Sequence, residues 1–284
     1  MKLQTLGLSI TTALLLAACG GGGSDNNTPA DPQKPSNPQK PSNPQKPSNP
    51  QKPSNPQKPS TPQKPTTPPP GDNNVSGAYK GNVFVVPVGS MPGSLADARA
   101  TGSNNLAVLN ANGKQIALQL PGIFSGGMTS MKGATINGQS YKLFIASGSR
   151  YANSKFGYIN NGNEDYIFSQ GAYTTNMPTS GTVTYQGDAA VGRSAVANTA
   201  VSNFTADFGK KTLTGSITQA ARSDVQFQPV NINATINGNA FSTADNATVR
   251  STGHFYGDNA REVGGVFHDS SQSLVGSFGA IRSN

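Results

Sequence analysis

Residues 204–218 read FTADFGKKTLTGSIT, and their alternation decides the fold. Phe204, Ala206 and Phe208 fall on one side of a period-2 repeat, with Thr205 and Asp207 on the other, the pattern of a half-buried strand. Gly209-Lys210 turns the chain, and Leu213, Gly215 and Ile217 resume the apolar side. Downstream, NINATING (231–238) sets Ile232, Ala234 and Ile236 against Asn231, Asn233 and Thr235, and Phe241 begins the return strand. TVRSTGHFYG, EVGGVFH and SLVGSFGAIR continue the series, with Val249, Gly253, Phe255, Val263, Gly265, Phe267, Leu274, Gly276, Phe278 and Ala280 inward. GTVTYQG (181–187) in front brings the strands to eight. A meander of that number closes into a barrel that side chains can just fill, and glycines sharing the inward side with rings suit its tight curvature. The expectation is a filled eight-stranded antiparallel β-barrel over 180–284.

Residues 74–179 read as a second β unit. NLAVLNANGKQIALQL, ATINGQSYKLFIAS and KFGYINNGNEDYIFSQG are hairpins, and the Asn-Gly pairs at 112–113, 137–138, 161–162 and 237–238 suit type I′ turns. The one helical candidate, GSLADARA (93–100), lasts two turns at most, so the class is all-β.

The first 73 residues are of another kind. From Pro32 to Pro68 every third residue is proline, thirteen in all, which enforces polyproline II. At about 3.1 Å per residue, the stretch to Pro70 would reach roughly 120 Å. An SH3-type ligand is the competing reading of P-x-x-P, but a spacer is the better one. Met1–Ala18 has a single Lys2 and an apolar run too short to span a bilayer, the form of a signal peptide. Leu16-Ala17-Ala18-Cys19 resembles a bacterial lipobox, which implies that the only cysteine, Cys19, is lipidated. Residues 19–73 are then a Gly-rich swivel and the PQKPSN-repeat linker, carried on the membrane by the lipid.

The formal charge of +8 is concentrated in that tether. Residues 71–284 retain 14 basic against 11 acidic side chains without clustering, which argues against nucleic acid. No catalytic constellation is found. The chain has two histidines and no G-x-S-x-G, C-x-x-C, H-E-x-x-H or P-loop, and Thr129-x-x-Lys132 is a chance match, so an enzyme is not expected. No metal site or resident cofactor can be argued. His254 and His268 both point outward from the barrel by alternation, as solvated side chains or, at most, single haem ligands. If the intervening turn centres near Asp258-Asn259, His254 faces Gly264 and His268 faces Arg250, too far apart for a bis-histidine pair. A protein-binding surface is the better home for function. Phe124, Met128 and Met131 lie in one loop and Arg150, Tyr151, Phe156 and Tyr158 in another. Tyr151 and Met128 are expected to be exposed, whereas Phe156 and Tyr158 are equally readable as core of the second β unit.

FTADFGKKTLTGSIT, INGNAFS, STGHFYGDNAREVGGVFHD and GSFGAIR resemble the barrel of transferrin-binding-protein-B-like surface lipoproteins, most specifically in G-x-F-Y-G followed by E-x-G-G-V-F. DYIFSQGAYTTNMPTSGTVTYQGDA looks like the junction between that family's handle domain and its barrel. The resemblance implies a lipid-anchored protein on the outer face of the outer membrane, exported by a surface lipoprotein translocon. It also implies a host-protein ligand and a TonB-dependent receptor as partner. Among single-lobe members it points to the haemoglobin–haptoglobin utilisation type, with haemoglobin as ligand and haem itself a possible one. Binding of a complement regulator such as factor H, or of transferrin or haem directly, stays open.

Overall fold

The computed structural model describes residues 75–193, 196–221 and 223–283, all within one compact unit. The expected signal peptide (1–18), Cys19 and the linker (19–73) lie outside the described residues.

The N-terminal part is built from β1 (Tyr79–Pro87), β2 (Arg99–Ser103), β3 (Val108–Ala111), β4 (Lys114–Ala117), β5 (Met128–Ile136), β6 (Gln139–Ser147), β7 (Ser154–Asn160) and β8 (Glu164–Gly171). Six of these form one antiparallel sheet in the order β2-β1-β8-β7-β6-β5, and β3 and β4 make a separate hairpin. The three expected hairpins are β3–β4, β5–β6 and β7–β8, as read. The helical candidate shrinks to one 3₁₀ turn at Leu95–Asp97, where the Gly93 and Ser94 amides donate to Asp97 Oδ2 at 2.7 and 2.9 Å.

The C-terminal part follows as β9 (Thr182–Arg193), β10 (Val196–Asp207), β11 (Thr212–Gln219), β12 (Val230–Asn237), β13 (Ala240–Thr243), β14 (Val249–Tyr256), β15 (Glu262–Asp269) and β16 (Leu274–Arg282). It is a closed antiparallel barrel of eight strands, with β16 returning to β9 from Val275↔Gly192 to Arg282↔Tyr185. Every apolar side chain expected inward, from Phe204 to Ala280, packs in or against the barrel core, where the Phe204 and Phe278 rings stack at 4.6 Å.

Two Asn-Gly turns are of the expected kind, with both residues at positive φ at Asn112-Gly113 and Asn137-Gly138. The other two differ. At 237–238 the register Asn237↔Ala240 makes Gly238-Asn239 the turn, and only Gly238 has positive φ. At 161–162 Asn161 Oδ1 accepts from the Asn163 and Glu164 amides at 2.9 and 2.8 Å, so its side chain organises a longer loop.

The handle sheet is apolar on both faces. One face, with Phe144, Ile159, Tyr166 and Phe168, is covered by the β3–β4 hairpin through Leu109 and Ile116. The other, with Phe84, Ile145, Tyr158 and Ile167, packs on the outside of the barrel against Ala190, Val266 and Val275. Polar contacts seal this junction. Buried Glu262 accepts from the Asn153 amide (3.0 Å), Asn153 Nδ2 (2.9 Å) and Ser154 Oγ (2.6 Å). Ser277 Oγ donates to the Gly157 carbonyl at 2.9 Å.

Candidate functional site

The docking of handle on barrel corrects several sequence expectations. Tyr151, expected exposed among Gly and Ser neighbours, is 1% exposed. Its phenol reaches the barrel, donating to Asp188 Oδ2 at 2.8 Å and accepting from the Asp188 amide at 2.9 Å, and burial raises its pKa. Phe156 and Tyr158 are fully buried, but at the junction rather than in the handle's own core. A Cβ on Gly279 would stand 2.2 Å from Phe156 Cε1, and one on Gly192 2.4 Å from Tyr158 Cε2, so each ring lies in a socket that only glycine provides. Arg150 stays exposed, its Nη2 2.5 Å from Asp188 Oδ2 and its guanidinium 5.0 Å from the Tyr151 ring centre. It latches the handle to β9.

The histidines are corrected too. The register pairs His254 with Gly264 and His268 with Arg250, as read, and both point out of the barrel. Outward is not solvated here. His268 is buried, and burial together with nearby Arg250 lowers its pKa. The His254 ring, half-buried, stacks on Tyr173 at 4.1 Å and 16°, with Nδ1 enclosed and unpartnered, and burial pushes its pKa down to about 3. Among the described residues no group of three or more His, Cys, Asp or Glu is placed to hold a metal ion.

What remains accessible is concentrated along β5. This strand ends the handle sheet, pairs only with β6 among the described residues, and has no buried residue over Met128–Gly133. Met128 packs toward the barrel-facing cluster and Met131 toward the opposite one, so the two methionines straddle the edge. Phe124, in the preceding loop, is 82% exposed, and Ile123 beside it 36%. Both line a small recess with Leu118, Leu120, Thr129 and Phe144 on the hairpin side of the sheet.

On the barrel side, a groove of about 330 Å³ opens between the handle and the start of β10. Register places Lys132, Leu143 and Asn160 in one row across β5, β6 and β7 on a single face. Val88, Val196 and Ala197 form apolar walls, and Lys142 and Asp224 stand at the rim. Behind this row lies Asp165, partner of Asn160, buried with Oδ2 unpartnered and its pKa raised by burial. Sequence reasoning missed Lys132, Lys142, Val88 and Val196. The available signal was a lysine between apolar residues on a strand that ends a sheet, but strand order is not written locally.

The arrangement defines a class, a handle-and-barrel lobe with an open apolar edge. Residues 177–282 match the family model described as C-lobe and N-lobe beta barrels of Tf-binding protein B. A Haemophilus influenzae protein, described as uncharacterized, is 34% identical over 223 residues, covering 71% of this chain and 75% of the relative. Transferrin-binding protein B of Moraxella catarrhalis is 32% identical over 166 residues, covering 45% of this chain but only 23% of that protein. The solved haemoglobin receptor HpuA from Kingella denitrificans is similar at 16% identity and a TM-score of 0.49, covering 75% of this chain and 89% of that one. The chain belongs to the transferrin-binding-protein-B-like family.

Proposed function

We propose that this protein is a surface lipoprotein of the outer membrane that captures a host iron-carrying protein, with haemoglobin or haemoglobin–haptoglobin as the ligand. In this reading Cys19 carries the lipid, a translocon delivers the chain to the cell surface, and a TonB-dependent receptor takes the haem onward. The observation that carries it is the family match over the whole barrel, residues 177–282. The described residues hold one handle and one barrel, which fits a single-lobe receptor.

The geometry supports a binding role in two further ways. Handle and barrel are joined by buried charge-assisted hydrogen bonds and ring-in-glycine sockets, so an interface spanning both parts is pre-organised and loses little entropy on docking. The described chain begins with Val75 lying against Gly102 of β2. That is the sheet edge opposite β5, roughly 24 Å away at about 4.8 Å per strand. The first described residue thus lies on the side of the sheet away from the open edge.

The test is titration of the chain against immobilised haemoglobin and haemoglobin–haptoglobin, with haem-free globin, free haem, transferrin and factor H alongside. Saturable binding to haemoglobin supports the reading, and the globin and haem arms tell which part is recognised. Phe124→Asp is expected to weaken binding about thirtyfold if the exposed ring is an interface anchor. Binding to factor H or transferrin alone would overturn the haemoglobin assignment, and binding to none would overturn the capture of a host iron protein.

A further inference from the structure

We propose that β5 is a docking strand that accepts an extended acidic segment of a partner protein as a seventh strand of the handle sheet. Among the described residues the other places where a strand could add are closed or short, the unpaired side of β4 having only four residues. The barrel is a ring. The β2 edge lies under the β3–β4 hairpin, with Thr101 Oγ1 donating to the Asn110 carbonyl at 2.8 Å and Asn110 Nδ2 to that of Gly102 at 2.7 Å. Among the described residues β5 is the long edge that offers backbone donors and acceptors to an incoming strand, and such addition draws its affinity from the main chain and its specificity from flanking pockets.

The edge is guarded selectively. Gly133, at φ +71°, has no partner in β6, while Lys132↔Leu143 and Ala134↔Tyr141 pair on either side. The ladder is interrupted there, and Met128–Lys132 remains as the regular template. Lysine on an edge repels indiscriminate pairing. Lys132 and Lys142 are both exposed and take part in none of the ion pairs among the described residues, which join Lys114–Glu164, Arg150–Asp188 and Lys210–Asp207. No ion pair among the described residues neutralises them, and the one carboxylate lining the same groove is Asp224. A strand alternating carboxylates with aliphatic side chains answers both faces at once. Its acidic side chains meet Lys132 at the groove, and its aliphatic ones meet Phe124, Ile123 and Thr129 on the other face.

The inference rests on the chain being a protein binder but not on haemoglobin, so its test uses a peptide. The full chain is incubated with acetyl-Leu-Glu-Val-Glu-Leu-amide, and backbone hydrogen exchange is followed by mass spectrometry. The peptide is expected to slow exchange over 128–132 about tenfold at saturation, an effect reduced by added salt. The corresponding Leu-Lys-Val-Lys-Leu peptide should leave β5 unprotected, and the double substitution Lys132→Glu with Lys142→Glu should exchange the two preferences. Both lysines are exposed, so the double variant is expected to keep wild-type exchange in the barrel. Equal protection by both peptides, protection elsewhere than β5, or none at all would overturn the docking strand. If haemoglobin binds the double variant as tightly as the parent chain, the proposed ligand stands and the docking strand does not serve it.

Discussion

The outer wall of the barrel has two unlike sides. On β12 burial alternates strictly, with Ile232, Ala234 and Ile236 inside and Asn231, Asn233, Thr235 and Asn237 in water. On β15 every residue from Glu262 to Asp269 is buried. Both strands read inward correctly by alternation. They differ only in what lies outside, solvent for one and the handle sheet for the other. Alternation thus separates the two faces of a barrel strand but does not tell an outward face from a wet one. The covered side is where polar groups and glycines become structural, and the open side is where they are interchangeable.

The sharpest way to break this comparison is Phe156→Ala. The ring is fully buried, lies over Gly279 on the outside of β16 and meets Tyr151 edge-on at 4.8 Å. Truncation leaves a cavity at the junction, and a loss of about 3–5 kcal/mol is expected from urea unfolding. A loss under about 1 kcal/mol would mean that handle and barrel do not unfold as one cooperative unit.

Next in size is Glu262→Ala. The carboxylate accepts three hydrogen bonds from Asn153 and Ser154 across the junction, and its removal strands those donors in a dry interface. An unfolding penalty of about 3 kcal/mol is expected. Glu262→Gln keeps the shape and an acceptor, and should recover part of it. If both variants unfold like the parent, water replaces the carboxylate and the junction is looser than its geometry.

The barrel was legible because its inward residues obey a local period, from Phe204 through Ala280. The junction was not, because its contacts join residues far apart in sequence, such as Ser154 and Glu262. For this reason the immediate neighbours of Tyr151 and of both histidines point to solvent, whereas the docking of handle and barrel covers all three. A clue did exist in the strands themselves. KFGYIN and EVGGVFH carry apolar residues at both parities, which marks a strand covered on two sides rather than one. The open β5 edge was hidden for the complementary reason. Met128 and Met131 read as loop residues beside Gly126-Gly127, and only the strand order reveals that among the described residues β5 pairs on one side alone.

A smaller effect appears only in acid and probes the covered side through its titration. His254, stacked on Tyr173 with Nδ1 enclosed, has its folded pKa pushed from 6.5 down to about 3. The unfolded chain therefore binds a proton that the folded one refuses. The stability tied to this group is complete above pH 6.5 and is lost progressively as the pH falls toward about 3. His254→Phe retains an aromatic ring against Tyr173 and removes the proton. Urea midpoints of the two proteins should converge near neutrality relative to their values at pH 4, with the variant losing less on acidification. Parallel curves across that range would show that His254 titrates freely and that the junction admits water there.

The smallest effect is expected on the other wall. Asn233→Leu and Thr214→Val replace polar side chains that face solvent from neighbouring strands at the register pair Thr214↔Asn233. Neither breaks a buried contact, and each should change stability by no more than about 0.5 kcal/mol in either direction. The contrast with Phe156→Ala is the point of the measurement. Both sites lie outside the same ring of strands, and the difference between them reports what the handle adds to the barrel beyond closure. A cost of 2 kcal/mol or more at Asn233, on the order of a lost buried hydrogen bond, would show that the β11–β12 wall is itself covered. It would then belong with the junction rather than with the surface.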